Sequence, residues 1–145
     1  MRADDNEDLA LRWFTQMWGQ RQEALIDELM CENCVGQTED GPLIGREAWK
    51  AQIYRPFLAA LPDLELRVEG TVSEGDQVVV RWVATGTHAG DGFGFAPSQK
   101  RVRFRGMTWL RFANGQIVEG ADSWNQSGLM ATLGAGAIPS AEVLD

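Results

Sequence analysis

The side chain best placed to do chemistry is Asp122, on the second arm of a hairpin that spans residues 99–125. Asn114-Gly115 marks the turn, and two registers fit it. A two-residue loop sets Ala113 opposite Gln116, whereas a three-residue loop with Gly115 left-handed sets Phe112 opposite Gln116. One step of register moves every side chain of a strand to the other face. On the first arm Phe104, Gly106, Thr108, Leu110 and Phe112 share a face, and Arg103, Arg105, Met107, Trp109 and Arg111 share the other. On the second arm Val118, Gly120, Asp122 and Trp124 share a face. The three-residue loop joins Val118 and Trp124 to the apolar set and places Glu119 among the arginines, so it is the register we expect. Asp122 then lies opposite Gly106 and diagonal to Thr108, the one charged group on an apolar face. An ionised carboxylate there is costly, so its pKa should rise. A carboxyl group of raised pKa facing a cavity suits general acid–base catalysis near neutral pH. The alternative is an Asp satisfied by Thr108 or a backbone amide, or hydrated at the end of the sheet.

His88, the only histidine, follows Val83-Ala84-Thr85-Gly86-Thr87 at a strand end, where site residues often sit. Its natural pKa lies near working pH, and it is a second catalytic candidate if it faces the cavity. Cys31 and Cys34 form a C-x-x-C pair, but a zinc site needs two more soft ligands and the chain offers one histidine and no further cysteine. Two reduced, partly buried thiols are expected, with no metal and no cofactor. No Walker, dinucleotide-binding or nucleophile-elbow motif is present.

The positioning elements follow from periodicity. Asp5 or Asn6 can cap a first helix whose Leu9, Trp13, Phe14, Met17 and Trp18 form one apolar face, with Gly19 as its stop. A second helix is expected over 23–30, a short strand near Val35, and a third helix over 45–60 that Pro56 kinks. Leu64, Leu66 and Val68 alternate with charged residues as a strand, Glu74-Gly75-Asp76 turns the chain, and residues 78–87 form a longer strand. Helices followed by sequential strands predict an α+β fold: a curved antiparallel sheet with three N-terminal helices on its concave face, enclosing a pocket. One domain is expected over 1–145, with a core of about 5–135 and a tail of 136–145.

The bulk properties narrow the partners. Hydrophobic residues make up 44% of the chain, enough for a packed core. The net charge of −8 disfavours nucleic acid, and the alternate arginines of the hairpin read as the wet face of a strand. No apolar run is long enough to span a membrane and the acidic start is not a signal peptide, so a cytoplasmic protein is expected.

Several segments together resemble the SnoaL-like polyketide cyclase family, within the nuclear-transport-factor-2-like superfamily of cone-shaped α+β folds. They are Leu61-Pro62-Asp63-Leu64, Glu74-Gly75-Asp76-Gln77-Val78 with Arg81-Trp82, Gly86-Thr87-His88-Ala89-Gly90, and Phe104-Arg105-Gly106. Asn114-Gly115-Gln116-Ile117-Val118-Glu119 and Asp122-Ser123-Trp124-Asn125 with Gly128-Leu129 and Leu133-Gly134 complete the set. The resemblance covers about residues 9–135. It implies that Asp122 occupies the position of the acid–base Asp of an intramolecular aldol ring closure. Thr108 falls where some members carry a cavity histidine, Asn125 where many have a second Asp, and Thr132 where many have Gln.

The first functional expectation is therefore a cofactor-independent enzyme acting on a small apolar or aromatic carbonyl compound. Asp122 would move the proton, with His88 as a possible oxyanion partner. Thr108, Trp82, Phe104, Trp124, Phe14 and Tyr54 would wall the substrate pocket. The second is a non-catalytic ligand-binding or assembly module that dimerises through the outer sheet face, where Trp109 and Met107 stand among arginines. The third is a hydrolase or hydroxylase-like member, and a hydrolase of this type needs an Asp-Arg-Asp set around a water.

Overall fold

The computed structural model describes residues 3–135 and 141–144, and apolar residues at helical spacing give its first helix a buried face. Helix α1 (Ala3–Arg12) runs directly into a π-helical turn, Trp13–Trp18, that buries Trp13, Phe14, Met17 and Trp18. The expected cap at Asp5 or Asn6 falls inside α1. Asn6 is instead buried, with its amide donating to the Gly75 carbonyl at 3.5 Å. The Gly19 amide bonds back to Phe14, one residue further than in an α-helix, which closes the widened turn. Helix α2 (Ala24–Leu29) follows, then strands β1 (Met30–Thr38) and β2 (Gly41–Ile44) as a hairpin. The expected third helix is α3 (Arg46–Trp49), a second π turn (Lys50–Tyr54) and α4 (Arg55–Ala60). The irregular turn ends one residue before Pro56, which lies in the first turn of α4 and lacks the N–H a continuous regular helix would need there.

Strands β3 (Glu65–Glu74), β4 (Gln77–Thr87), β5 (Arg101–Ala113) and β6 (Gln116–Trp124) supply most of the sheet. Its order is β2-β1-β6-β5-β4-β3. All pairs are antiparallel except β1 with β6, which run parallel. One-residue slips between Val68 and Gly70 and across from Arg111 and Phe112 are bulges, and the β1–β6 register is irregular between Met30 and Val35. Bulges bend and twist strands, which is how a sheet this long acquires a concave face. Helix α5 (Gln126–Met130) follows β6 and enters a π turn, Ala131–Ala135. The tail had no expected element. Within it, 136–140 and 145 lie outside the described residues, and β7 (Glu142–Leu144) pairs with Arg101–Arg103 of β5.

The two-residue turn wins at the hairpin, against expectation. Ala113 pairs with Gln116, and both Asn114 (φ 53) and Gly115 (φ 79) take the left-handed conformation that such a turn demands. One residue on, Val118 bulges out of the ladder, so Ile117 pairs with Phe112 while Glu119 pairs with Arg111. Turn and bulge each shift the parity by one, and together they restore it. Asp122 ends opposite Thr108, not Gly106, yet on the face expected for it. Among the described residues no helix is long and apolar enough to cross a membrane.

Candidate functional site

The concave face of the sheet and the helices enclose an open-mouthed cavity of about 180 Å³, far more than the ~10–15 Å³ that one water needs. Its sheet wall carries Trp82, Phe104, Thr108, Asp122 and Trp124, and its helical wall Trp13, Phe14, Trp18, Trp49 and Phe57. The β1–β2 hairpin supplies the rim with Gln37, Thr38, Glu39 and Leu43. The two walls meet where the Phe57 and Trp124 rings stand 5.8 Å apart. On the helical side Trp13 and Trp49 are 5.1 Å apart, and on the sheet side Phe104 stacks on Trp124 at 5.2 Å. Such pairs contribute about 0.5–1.5 kcal/mol each beyond the area they bury, so the walls are stiff.

Glycine shapes the sheet wall. Gly106 sits between Trp82 on β4 and Trp124 on β6 in the ladder. A Cβ there would lie 2.6 Å from the Trp82 ring and 2.7 Å from the Trp124 Cβ. The two indoles therefore close over a position where only hydrogen fits, with ring centroids 6.1 Å apart. Lying over Gly106, Trp82 reaches diagonally to β5, and its Nε1–H donates to Thr108 Oγ1 at 2.9 Å. The Thr108 hydroxyl in turn donates to Asp122 Oδ1 at 2.5 Å.

Protein atoms crowd around Asp122, yet its side chain is exposed, since it lines a cavity whose mouth is open. Loss of bulk water raises its pKa above the usual carboxylate range, and the Thr108 hydroxyl, by bonding the ionised form, opposes that rise. The only other charged side chain among the described lining residues is Glu39, at the rim. Arginine is absent from the described lining, so the Asp-Arg-Asp set of a hydrolase does not form there.

Among the expected site residues, Asp122, Thr108, Trp82, Phe104, Trp124 and Phe14 all line this cavity. His88 does not. Its ring is fully buried on the far side of the strand end, against Phe93 and Phe95. Its Nδ1 accepts from the Ser98 amide at 2.9 Å, and its backbone bonds Lys100 and Gln99, so it anchors the 89–100 loop. The oxyanion role assigned to it has no geometry to act through. Tyr54 also lies behind the wall, with its hydroxyl donating to the Met17 carbonyl at 3.3 Å and its ring packed on Trp18 and Trp49. Asn125 caps α5, its side chain accepting from the Gly128 amide at 2.9 Å, a task Asp performs equally well. Thr132 is buried and donates to the Gly128 carbonyl.

Sequence reasoning placed Trp13, Trp18 and Trp49 only on helix faces. Three indoles on the apolar sides of helices facing a sheet were the available signal. It gave no warning of Glu39, or that Cys34, expected as a reduced and partly buried thiol, stands on the cavity wall, where burial pushes its pKa up to about 12. That thiol is no nucleophile at neutral pH.

The chain matches the family model described as SnoaL-like polyketide cyclase over residues 8–133. No curated protein matches it in sequence. Among solved structures, a protein from Jannaschia sp. CCS1 provisionally named a SnoaL-like polyketide cyclase superposes with a TM-score of 0.85 at 26% identity, over 93% of this chain and 95% of its own. AclR from Streptomyces galilaeus, provisionally named a hydroxylase, gives 0.81 at 28% identity, over 94% and 100%. IdmH from Streptomyces antibioticus, provisionally named a polyketide cyclase, gives 0.74 at 23% identity, over 89% and 98%, a likeness of fold. With the model match spanning most of its length and the NTF2-like cone shared with these structures, the chain belongs to the SnoaL-like polyketide cyclase family.

Proposed function

We propose that this chain is a cofactor-independent cyclase or isomerase in which Asp122 is the acid–base. The observation that carries the reading is a carboxylate of raised pKa on the wall of a largely apolar, aromatic-rich cavity. Family membership favours a cyclase-type reaction over others. The substrate is a small, flat, polyketide-like carbonyl compound with a carbon flanked by two carbonyls. Such a carbon is acidic enough for a single carboxylate to deprotonate. Asp122 takes that proton, the enolate carbon attacks a second carbonyl of the same molecule, and the new alkoxide regains the proton from Asp122. One C–C bond forms, and the product is an isomer of the substrate.

Two assays test this. The first uses 5-nitrobenzisoxazole, a neutral flat probe that opens when a base removes the C3–H proton of its isoxazole ring and the N–O bond breaks to give a nitrile and a yellow phenolate. Wild-type protein should accelerate the reaction, and Asp122→Asn should lower the rate by about 10²- to 10⁴-fold while remaining folded. Equal rates for the two proteins would overturn the role of Asp122. The second offers linear polyketide-like diketones and seeks a product of unchanged mass and altered chromatographic retention, formed by wild type and not by Asp122→Asn.

The outer sheet face supports a homodimer as a separate proposal. Val72 and Met107 are 71% and 49% exposed there, and Arg81 and Arg105 flank Glu69, so the face carries both signs of charge and can be self-complementary about a two-fold axis. Sedimentation equilibrium should show twice the chain mass for wild type and the single mass for Met107→Glu. A wild-type monomer at every concentration would refute it.

A further inference from the structure

The relay that ends on Asp122 has a direction, and that direction distinguishes its two oxygens. An indole N–H can only donate. Thr108 Oγ1, receiving the Trp82 N–H at 2.9 Å, must turn its one proton elsewhere, and the acceptor in reach is Asp122 Oδ1 at 2.5 Å. Neither Trp82 nor Thr108 titrates, so the direction is the same whether Asp122 is ionised or not. Oδ1 is an acceptor in both states.

We propose that Trp82 is a positioning residue acting through Thr108: it locks the Thr108 hydroxyl as a donor to Asp122 Oδ1 and leaves Oδ2 as the oxygen that takes and returns the substrate proton. This rests on the acid–base reading of Asp122 and specifies how that group is tuned. Without the indole, the hydroxyl is free to rotate and accept from a protonated Asp122, which favours the acid form. With the indole, the hydroxyl bonds the carboxylate and keeps it competent as a base in spite of its setting. The carboxyl is also held by one oxygen, which fixes the line along which the other approaches a substrate carbon. Gly106 belongs to the same device, since a side chain there would displace the Trp82 ring from Thr108. The other titratable side chains of the cavity wall are Cys34, midway along β1, and Glu39 at the rim, and neither bonds to the relay.

The test compares wild type with Trp82→Phe, Thr108→Val and Thr108→Ser. The readouts are a ¹³C titration of the Asp122 carboxyl, assigned by its loss in Asp122→Asn, and the pH profile for opening of 5-nitrobenzisoxazole. Thr108→Val should move the Asp122 titration and the rising limb of the rate profile to higher pH, and lower the rate at pH 7 about tenfold. Trp82→Phe should move both the same way by less, and Thr108→Ser should restore both. A Trp82 that merely fills space would lower overall rates or stability and leave the limb where it is. Should Trp82→Phe fail to fold, Thr108→Val against Thr108→Ser still tests the link the indole must act through, because the two differ in the hydroxyl, and identical Asp122 titrations in that pair would overturn the relay. Titrations identical to wild type in Trp82→Phe and Thr108→Val would overturn the relay while leaving Asp122 as the base. Shifted titrations in a protein with no Asp122-dependent rate would support the relay and sink the catalytic reading instead.

Discussion

A carboxylate whose pKa rises on folding weakens the fold that holds it, and Asp122 is such a group. Between its ordinary value of 3.8 and its raised native value, the folded chain binds more protons than the unfolded chain. Stability therefore falls as pH rises through that window, and at neutral pH the ionised group costs the fold stability. Asp122→Asn keeps the shape, accepts from Thr108 and removes the charge. It should melt at or above the wild-type temperature at pH 7, with the two proteins converging as pH falls towards 3.8. Thermal melts across that range check it, and a large loss of stability in the variant would mean the carboxylate is structural. Sequence alone could pick this residue because its face follows from parity. It could not give the partner: the turn at Asn114-Gly115 and the bulge at Val118 are separate one-residue shifts, and only the second restores what the first changes.

At the level of elements, the site depends on strands that are close enough for rings to bridge them. Gly106 lets Trp82 of β4 and Trp124 of β6 lie over β5. Gly106→Ala forces a methyl group to within 2.6 Å of the Trp82 ring, and overpacking of this kind costs about 1–3 kcal/mol. The urea midpoint should fall accordingly, and tryptophan emission should shift as Trp82 leaves Thr108; an unchanged midpoint and spectrum would show that the wall is looser than described. The 89–100 loop gives the opposite lesson about legibility. The sequence marked His88 for its pKa and its place at a strand end, and both features are equally true of a buried anchor. Nδ1 can accept the Ser98 amide only while the ring is neutral, and burial lowers the His88 pKa below 6.5. The unfolded chain then takes up the proton first, so this contribution to stability is lost as pH falls through about 6.5. His88→Gln retains an acceptor for Ser98 without titrating. Its stability should be flatter with pH between 7 and 5 than that of wild type, a comparison that denaturant melts can make. A wild-type curve equally flat there would remove His88 from the pH dependence. Strand β1 was under-read for a different reason. Met30–Thr38 alternates poorly, and its parallel partner β6 lies some 80 residues on, so its extended state comes from the sheet and not from its own pattern.

For the molecule as a whole, the α+β class, the helices-then-strands order and the curved sheet were readable because each rests on local periodicity. A pocket on the concave face was readable too, but its full lining was not, since that draws on every strand from β1 to β6 and on three helical segments, around residues 13–18, 49–57 and 126. Its electrostatics appear only once those pieces are together. The chain carries a net charge of −8, and the described wall holds two carboxylates, Asp122 and Glu39, with no lysine, arginine or histidine. An anion entering an aromatic enclosure of this kind gives up hydration, meets charge of its own sign and gains no counter-charge. A neutral flat molecule incurs neither cost and packs against the largely apolar walls. The protein should therefore bind 1-naphthol, followed by quenching of tryptophan emission, about tenfold more tightly than 1-naphthoate at low ionic strength. Added salt should narrow the gap by screening the field of the surface, but not close it, because the desolvation of the anion inside the cavity persists. Asp122→Asn should narrow the gap as well. Equal affinity for the two probes would place a cation near the bound ligand and contradict the wall as described.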